Sequence, residues 1–223
     1  MIYYKSVTVN LVKRKGRIIL GVLGFKKPLV VSAYECSGKS WIMKNKYDSY
    51  FLDENLEIII LRTDDFKYEE RLPNKEEVLE YDMKNKHINT LIGQDYFVKR
   101  FEQTKHTYTN YDYPENYIKE IQDSTADIIL VDSDNKTRKV LTDAGIDFVT
   151  VYPKIFLKNE WIGRSYLNDR CPELLAMTWE SDITKIEKQP HGKRIFWLDR
   201  QILFLEELLP IIIKYWKSVQ DED

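Results

Sequence analysis

The amino-acid sequence predicts an α/β fold, a three-layer sandwich in which a five-stranded parallel sheet lies between two layers of helices. Three observations support this. Five short runs are almost continuously apolar, as strands are when both faces of their sheet are covered. Segments with helical patterns separate these runs, and such alternation is typical of parallel sheets. The length of 223 residues suits one α/β domain with a core of its own.

The predicted strands are rich in β-branched and aromatic residues. They are residues 28–34, 56–63, 126–132, 147–153 and 194–198. The segments expected to be helical are residues 38 to about 47, 113–123, 135–145 and 157–188. Gly145 stands where the third of these helices is expected to end, because helices commonly stop at a glycine with left-handed backbone.

Two regions fall outside this alternation. Residues 3–25 contain two strand-like runs around "KRKG", and we interpret residues 1–27 as an N-terminal β extension in the form of a hairpin. Residues 67–112 are polar and tyrosine-rich, with helical patterns in "NKEEVLEYDMKN" and "GQDYFVKRFEQT". This segment is too long for a plain loop. We therefore predict an inserted helical segment that caps a site or contacts a partner.

Composition excludes several classes of protein. The chain has 34 basic and 36 acidic residues, so no overall field draws it to nucleic acid or anionic lipid. Cys36 and Cys171 show no C-x-x-C spacing and the three histidines are scattered, so a zinc site is not expected. No apolar run approaches the roughly 18 residues of a membrane span. We expect a cytoplasmic protein and leave its oligomeric state open.

Residues 33–40, "AYECSGKS", have the spacing of a phosphate-binding loop, G-x-x-x-x-G-K-[ST], except that Ala33 replaces the opening glycine. A predicted strand enters the segment and a predicted helix leaves it. In such loops, backbone N–H groups and the helix N-terminus surround the β-phosphate of a nucleotide. The alternative is a chance Gly-Lys-Ser at the start of a helix.

The residues expected to bind ATP are Ser37, Gly38, Lys39, Ser40 and Trp41. Lys39 would bridge the β- and γ-phosphates, and Ser40 would be a ligand of Mg²⁺. Gly38 is expected to allow close approach of the backbone to the phosphate.

Carboxylates follow two further predicted strands. Asp132 ends the strand 126–132 and is a candidate to orient Mg²⁺, although Asp132, Asp134 or a neighbour could instead cap the next helix. Asp64 and Asp65 follow the strand 56–63. The carboxyl ends of strands open into the ligand crevice of a doubly wound sheet, so a metal–phosphate site fits this pattern.

From Tyr113 onward the chain resembles a phage-associated family of P-loop nucleoside monophosphate kinase-like proteins, often described as adenylate kinase-like. The resemblance is carried by "YPENYIKEIQ", "ADIILVDSDNKTRKVLTDAGIDFVTVYP", "LKNEWIGRSYLNDR" and "TWESDI" and covers about two-thirds of the chain. It implies a single P-loop NTPase-like, kinase-like domain over residues 1–223, with ATP and Mg²⁺ as cofactors and a nucleotide as acceptor. It also implies a location in the host cytoplasm if the chain is phage-encoded.

The resemblance also implies roles for particular residues. Gly38, Lys39 and Ser40 match the ATP–Mg²⁺ loop, and Asp64 or Asp65 matches an acidic turn facing the acceptor. Arg138 matches an arginine on the helix after the third strand, and Arg164 and Arg170 match basic residues of a lid-like helical region, here residues 157–188. The chain departs from the family at Ala33 and at Asp134, where the family tends to have histidine.

Phosphoryl transfer requires positioning and positive charge, which Lys39, Mg²⁺, Arg164 and Arg170 would supply. The two arginines are six residues apart, so only a curved or broken helix would let both reach the phosphates. The leading interpretation is a kinase acting on a (deoxy)nucleoside monophosphate. One alternative is a kinase for a hydroxyl of a modified base or polynucleotide end, with the insertion contacting single-stranded DNA. Another is a catalytically weak nucleotide-binding protein, which Ala33 and Glu35 favour.

Overall fold

The computed structural model describes residues 11–14, 17–20, 27–45, 52, 56–92, 100–168, 171–187 and 194–222. The chain divides into two compact units. The first consists of Met1–Arg62 with Ile118–Asp223, and the second of Thr63–Tyr117. In the part of the chain that is described, no helix is both long enough and apolar enough to cross a membrane.

The strands are short and follow the predicted runs closely. They are β1 (Leu11–Arg14), β2 (Arg17–Leu20), β3 (Leu29–Ala33), β4 (Ile58–Leu61), β5 (Tyr68–Arg71), β6 (His106–Thr109), β7 (Ile128–Val131), β8 (Phe148–Pro153) and β9 (Ile195–Leu198). Five of them form one sheet in the order β4-β7-β3-β8-β9, and every neighbouring pair is parallel. The predicted fold class, a five-stranded parallel sheet flanked by helices, is confirmed.

The central position of β3 follows from its composition. All five residues of β3 and all four of β7 are buried, whereas the edge strand β4 is half-exposed along most of its length. Strands without a polar alternation can only be accommodated where both faces of the sheet are covered. The loop after β3 therefore emerges at the middle of the carboxyl edge of the sheet.

The helices are α1 (Lys39–Asn45), α2 (Asp64–Lys67), α3 (Lys75–Ile92), α4 (Glu115–Asp123), α5 (Asn135–Asp143), α6 (Lys158–Leu167), α7 (Pro172–Glu187) and α8 (Leu205–Glu222). The single helix expected over residues 157–188 is thus two helices. Pro172 begins the second, because proline has no N–H to donate and is best accommodated at a first helical position. Helix α8, which contains Pro210, was not predicted from the sequence.

Helices α6, α7 and α8 supply most of the helical side of the core. Trp161 of α6 and Trp179 of α7 are fully buried, with ring centroids 6.3 Å apart. Rings of this size dominate the burial of apolar surface wherever they occur in a core. The region predicted to be lid-like therefore contributes one face of each helix to the core of the first unit.

The two peripheral segments form small sheets of their own. Strands β1 and β2 pair antiparallel with Leu11 opposite Leu20, and residues 1–10 and 21–26 of the predicted extension lie outside the described residues. In the second unit, β5 and β6 pair antiparallel, a hairpin that the sequence analysis did not predict. The first predicted helix of the insertion is α3. Of the second, only residues 100–103 are described as helical.

Candidate functional site: a phosphate-binding loop on the central strand

In the loop between β3 and α1, the positions with positive φ angles differ from the first position of the motif, where a glycine was expected. Ala33, at the motif's first position, is the last residue of β3, pairs with Val151 and is fully buried. Extended backbone accepts alanine as readily as glycine. Positive φ angles occur instead at Cys36 (57°) and Gly38 (105°). The loop therefore forms without a glycine at its first position. Cys36 is a residue of the loop that has left-handed backbone although it is not a glycine.

Gly38 is needed for its backbone conformation rather than for space. A Cβ built on it would lie 3.9 Å from Cδ1 of Phe204, which is an ordinary contact, but a φ of 105° is rarely adopted by residues that carry a side chain. That a side chain at this position would also block the approach to a phosphate stays a prediction.

Two carbonyl groups of the loop are held from the side of the core. The indole Nε1 of Trp161 donates to Glu35 O at 2.9 Å, and the backbone N of Leu205 donates to Ser37 O at 3.0 Å. In a trans peptide, the C=O and the following N–H point in opposite directions. The N–H groups of Cys36 and Gly38 therefore point away from Trp161 and Leu205. The N–H of Ser37, between them, donates to Tyr34 O at 3.4 Å. Backbone N–H groups that point outward from a turn are the kind of donor that binds anions.

The Lys39 side chain folds back toward the end of β3. Its Nζ donates to Ala33 O at 2.5 Å and lies 3.4 Å from Tyr34 O. Lys39 thereby brings a positive charge to the start of the loop. The next residue, Ser40, is exposed in the first turn of α1, and Trp41 is 48% exposed.

Ser37 is fully buried, so its predicted contribution to nucleotide binding falls to the backbone. Its carbonyl is already engaged by Leu205, and the peptide that follows carries the N–H of Gly38. The side chain of Glu35 is exposed, so its charge can be hydrated.

Asp132 lies beside the loop because β7 is the immediate neighbour of β3. The hydroxyl of Ser32 in β3 donates to Asp132 O at 3.1 Å across the two strands. The cap of α5 is a different residue, Asp134, whose carboxylate accepts from the backbone N of Lys136 at 2.9 Å and of Thr137 at 3.0 Å. Capping, the alternative role for Asp132, is thus performed by Asp134.

The hydroxyl of Ser40 and the carboxylate of Asp132 belong to the same edge of the sheet and are both oxygen donors of the kind that Mg²⁺ prefers. Among the described residues, no group of three or more His, Cys, Asp or Glu side chains could hold a metal on its own. An ion there would take its other ligands from phosphate and water, which is usual for Mg²⁺. The residues present therefore fit a phosphate-bound magnesium.

Arg138 lies on α5, directly after β7, and its side chain is buried. It is 5% exposed, and its guanidinium donates to Ser133 O, to Asn135 Oδ1 and, at 2.6 Å, to the hydroxyl of Tyr152. Burial raises the pKa of the Tyr152 phenol, which stays protonated and donates to Ser133 O at 2.6 Å. These bonds join the ends of β7 and β8 through Arg138, and its part in phosphoryl transfer stays a prediction.

The side chain of Arg164 is held by two aromatic rings and two hydrogen bonds. Its guanidinium is 4.3 Å from the ring centroids of both Trp161 and Phe204. Nη1 donates to Leu203 O and Nε to Glu160 Oε1, each at 2.9 Å. The residue is 9% exposed, and its predicted part in phosphoryl transfer stays a prediction.

Arg170, the second predicted lid arginine, lies outside the described residues, so its role remains a prediction.

Asp64 and Asp65 begin the second unit, in the first turn of α2. Both are exposed, and Asp64 Oδ1 lies 3.8 Å from Nζ of Lys67. Their role toward an acceptor remains a prediction.

Sequence reasoning missed the aromatic residues packed around Tyr34, the residue that follows β3. The ring of Tyr34 lies 4.8 Å from that of Tyr152 and meets Trp179 edge-on at 6.0 Å. Burial, with a contribution from the carboxylate of Asp182, raises the pKa of the Tyr34 phenol, so this residue is neutral. A signal was present for Trp161, since its spacing from Arg164 and Ser165 places all three on one side of α6.

Comparisons with known proteins do not identify a family. No protein-family model matches the chain, and no curated protein is similar to it. The crystal structure of a gluconokinase from Sinorhizobium meliloti 1021 aligns with 13% sequence identity and a TM-score of 0.44, covering 89% of this chain and 98% of that one. A likeness this remote says nothing about substrate.

Proposed function

We propose that this chain is an ATP-dependent phosphotransferase whose acceptor is a nucleotide, with a (deoxy)nucleoside monophosphate as the leading candidate. The observation that carries the proposal is the loop after β3. Its carbonyls at Glu35 and Ser37 are held on the core side, its N–H groups at Cys36 and Gly38 point the other way, and Lys39 lies at its start.

The chain's own residues would act by positioning and by charge. The N–H groups of Cys36 and Gly38 would bind phosphate oxygens. Lys39 Nζ would exchange its two backbone carbonyls for the oxygens of the β- and γ-phosphates, because charge-assisted bonds to phosphate are stronger than bonds to a neutral carbonyl. Ser40 and Asp132 would hold Mg²⁺, which neutralises charge on the transferring phosphate group when bound.

The second unit favours a small acceptor over a polynucleotide. Residues 63–117 contain eight Lys or Arg and twelve Asp or Glu, a net charge of −4, which does not suit a DNA backbone. Four of its aromatic rings pack on one another in a row, with centroid distances of 4.2, 4.3 and 6.5 Å, in the order Tyr81, Phe101, His106, Tyr108. These rings are engaged within the unit, so they do not form a free stacking platform for bases. The nucleotide nature of the acceptor rests on the family resemblance.

ADP formation from ATP and Mg²⁺ in the presence of each nucleoside and deoxynucleoside monophosphate tests the proposal. We expect turnover that depends on one or a few mononucleotides. Turnover only with a single-stranded oligonucleotide would select the polynucleotide alternative, and ATP binding without turnover would select a nucleotide-binding protein.

The variant Lys39→Ala tests the loop itself. Loss of a charge aimed at the transferring phosphate is expected to lower kcat/KM by about 10²-fold or more. Lys44→Ala is the matched control, because Lys44 is an exposed lysine of the same helix, and its activity is expected to equal that of the wild type. Undiminished turnover in Lys39→Ala would show that the loop assignment is wrong.

A further inference from the structure

We infer that Trp161 is a positioning residue for the phosphate-binding loop: its indole N–H holds the Glu35 carbonyl and so directs the Cys36 N–H toward the bound phosphate. This inference rests on the proposed function, in that it takes the loop to bind a triphosphate. It adds a residue that is distant in sequence, 126 positions from Glu35, to the phosphate site.

The indole of Trp161 packs against a charged side chain. The guanidinium of Arg164 lies 4.3 Å from its ring centroid. Arg164 is itself held by Leu203 O at 2.9 Å and by Glu160. The direction of the indole N–H is thus determined by packing in the core, and the 2.9 Å bond to Glu35 O transmits that direction to the loop.

The peptide between Glu35 and Cys36 has a particular need for an anchor. Cys36 adopts a φ of 57°, a left-handed conformation that a residue with a Cβ disfavours. Without the bond from Trp161, rotation of this peptide would relieve the left-handed backbone. The Glu35 carbonyl would then point where the Cys36 N–H pointed, so that an acceptor would face the phosphate in place of a donor.

The structure offers a matched pair of substitutions. Trp161→Phe removes the N–H and keeps an aromatic ring. Trp179→Phe makes the same chemical change at another fully buried tryptophan, whose Nε1 donates to Ile155 O at 2.9 Å, outside the loop. Both variants lose one buried bond from an indole to a carbonyl, so both are expected to lower Tm by a similar amount.

Calorimetric titration of the full chain with Mg-ATP and with pyrophosphate distinguishes the two. We expect Trp161→Phe to weaken both ligands about tenfold and Trp179→Phe to change either by less than twofold. Pyrophosphate lacks the base and sugar, so an equal loss for the two ligands places the defect at the phosphates. Cys36→Gly combined with Trp161→Phe is expected to recover part of the affinity, because glycine tolerates the left-handed backbone without an anchor.

If Trp161→Phe does not fold, site-specific benzothienylalanine at position 161 removes the N–H while keeping the shape of the indole, and the same loss is expected. Unchanged binding in either variant, or an equal loss in Trp179→Phe, overturns the inference. A wild-type chain that binds no ATP overturns the proposed function first. Wild-type binding together with an unaffected variant overturns only the inference about Trp161.

Discussion

Substitution of the buried Arg138 can distinguish a structural role of this residue from a catalytic one. In Arg138→Met the apolar stem is retained, and the bonds to Ser133 O, Asn135 Oδ1 and Tyr152 are lost. Ser133 O keeps the bond from the Tyr152 hydroxyl, and Asn135 is exposed and can bind water. No acceptor is therefore left both buried and entirely unbonded.

The expected decrease in the free energy of unfolding follows from these contacts. A hydrogen bond from a charged group contributes about 1.5–3 kcal/mol. Removing a buried charge recovers part of the desolvation penalty that it incurred on folding. We estimate a net loss of about 2 kcal/mol in the free energy of unfolding. For a chain of this size that corresponds to a drop in Tm of roughly 4–8 °C.

Differential scanning calorimetry together with steady-state kinetics well below Tm measures both quantities. Arg194→Met is the control, because the ion pair of Arg194 with Asp147 is 36% and 50% exposed. Such a pair contributes under about 1 kcal/mol, so little change in Tm is expected. If Arg138→Met lowers kcat by 10²-fold or more with Tm unchanged, the residue serves the reaction and the structural assignment is refuted.

Two further predictions concern single residues of the loop and of the second unit. Cys36→Gly is expected to raise stability by about 0.5–1 kcal/mol, because relief of left-handed backbone outweighs the added chain entropy, and Ala33→Gly to lower it by a similar amount. Chemical denaturation measures both changes in stability. Higher stability of Ala33→Gly would contradict the conclusion that position 33 does not require a glycine. Hydrogen bonds from Arg71 and from the backbone N–H of Asn74 lower the pKa of Glu77 to about 2. Its stabilising effect on the second unit is therefore complete above about pH 4.5 and lost as pH falls toward 2. Hydrogen exchange of this unit between pH 2 and 5 measures the loss, and Glu77→Gln with an unchanged pH dependence would exclude Glu77 as its source.

The parts of the fold that were predictable are those in which neighbours in sequence carry the signal. Continuous apolarity in 28–34 and 126–132 predicted two of the most buried strands, β3 and β7. The spacing of Gly38 and Lys39 after a strand predicted a loop with a lysine at its base. Asp132 was placed beside that loop because parallel strands open at one edge.

The hairpin of the second unit lacked such a signal. Strands β5 and β6 are polar, four residues each and separated by a long helix, so neither alternation nor a turn motif marked them as partners. Within the segment 157–188, predicted to be helical, a second helix begins at Pro172, a boundary that the sequence analysis did not assign.

By itself, the sequence determined the class of sheet and the place of the loop that contains Gly38 and Lys39, because these depend on composition and on spacing along a few residues. Only the tertiary structure decided which residues of the loop have positive φ angles and which arginine side chains are buried. Whether an arginine is buried between rings or bonded to carbonyls, and whether an indole reaches a loop 126 residues away, depends on side chains that folding brings together from separate elements.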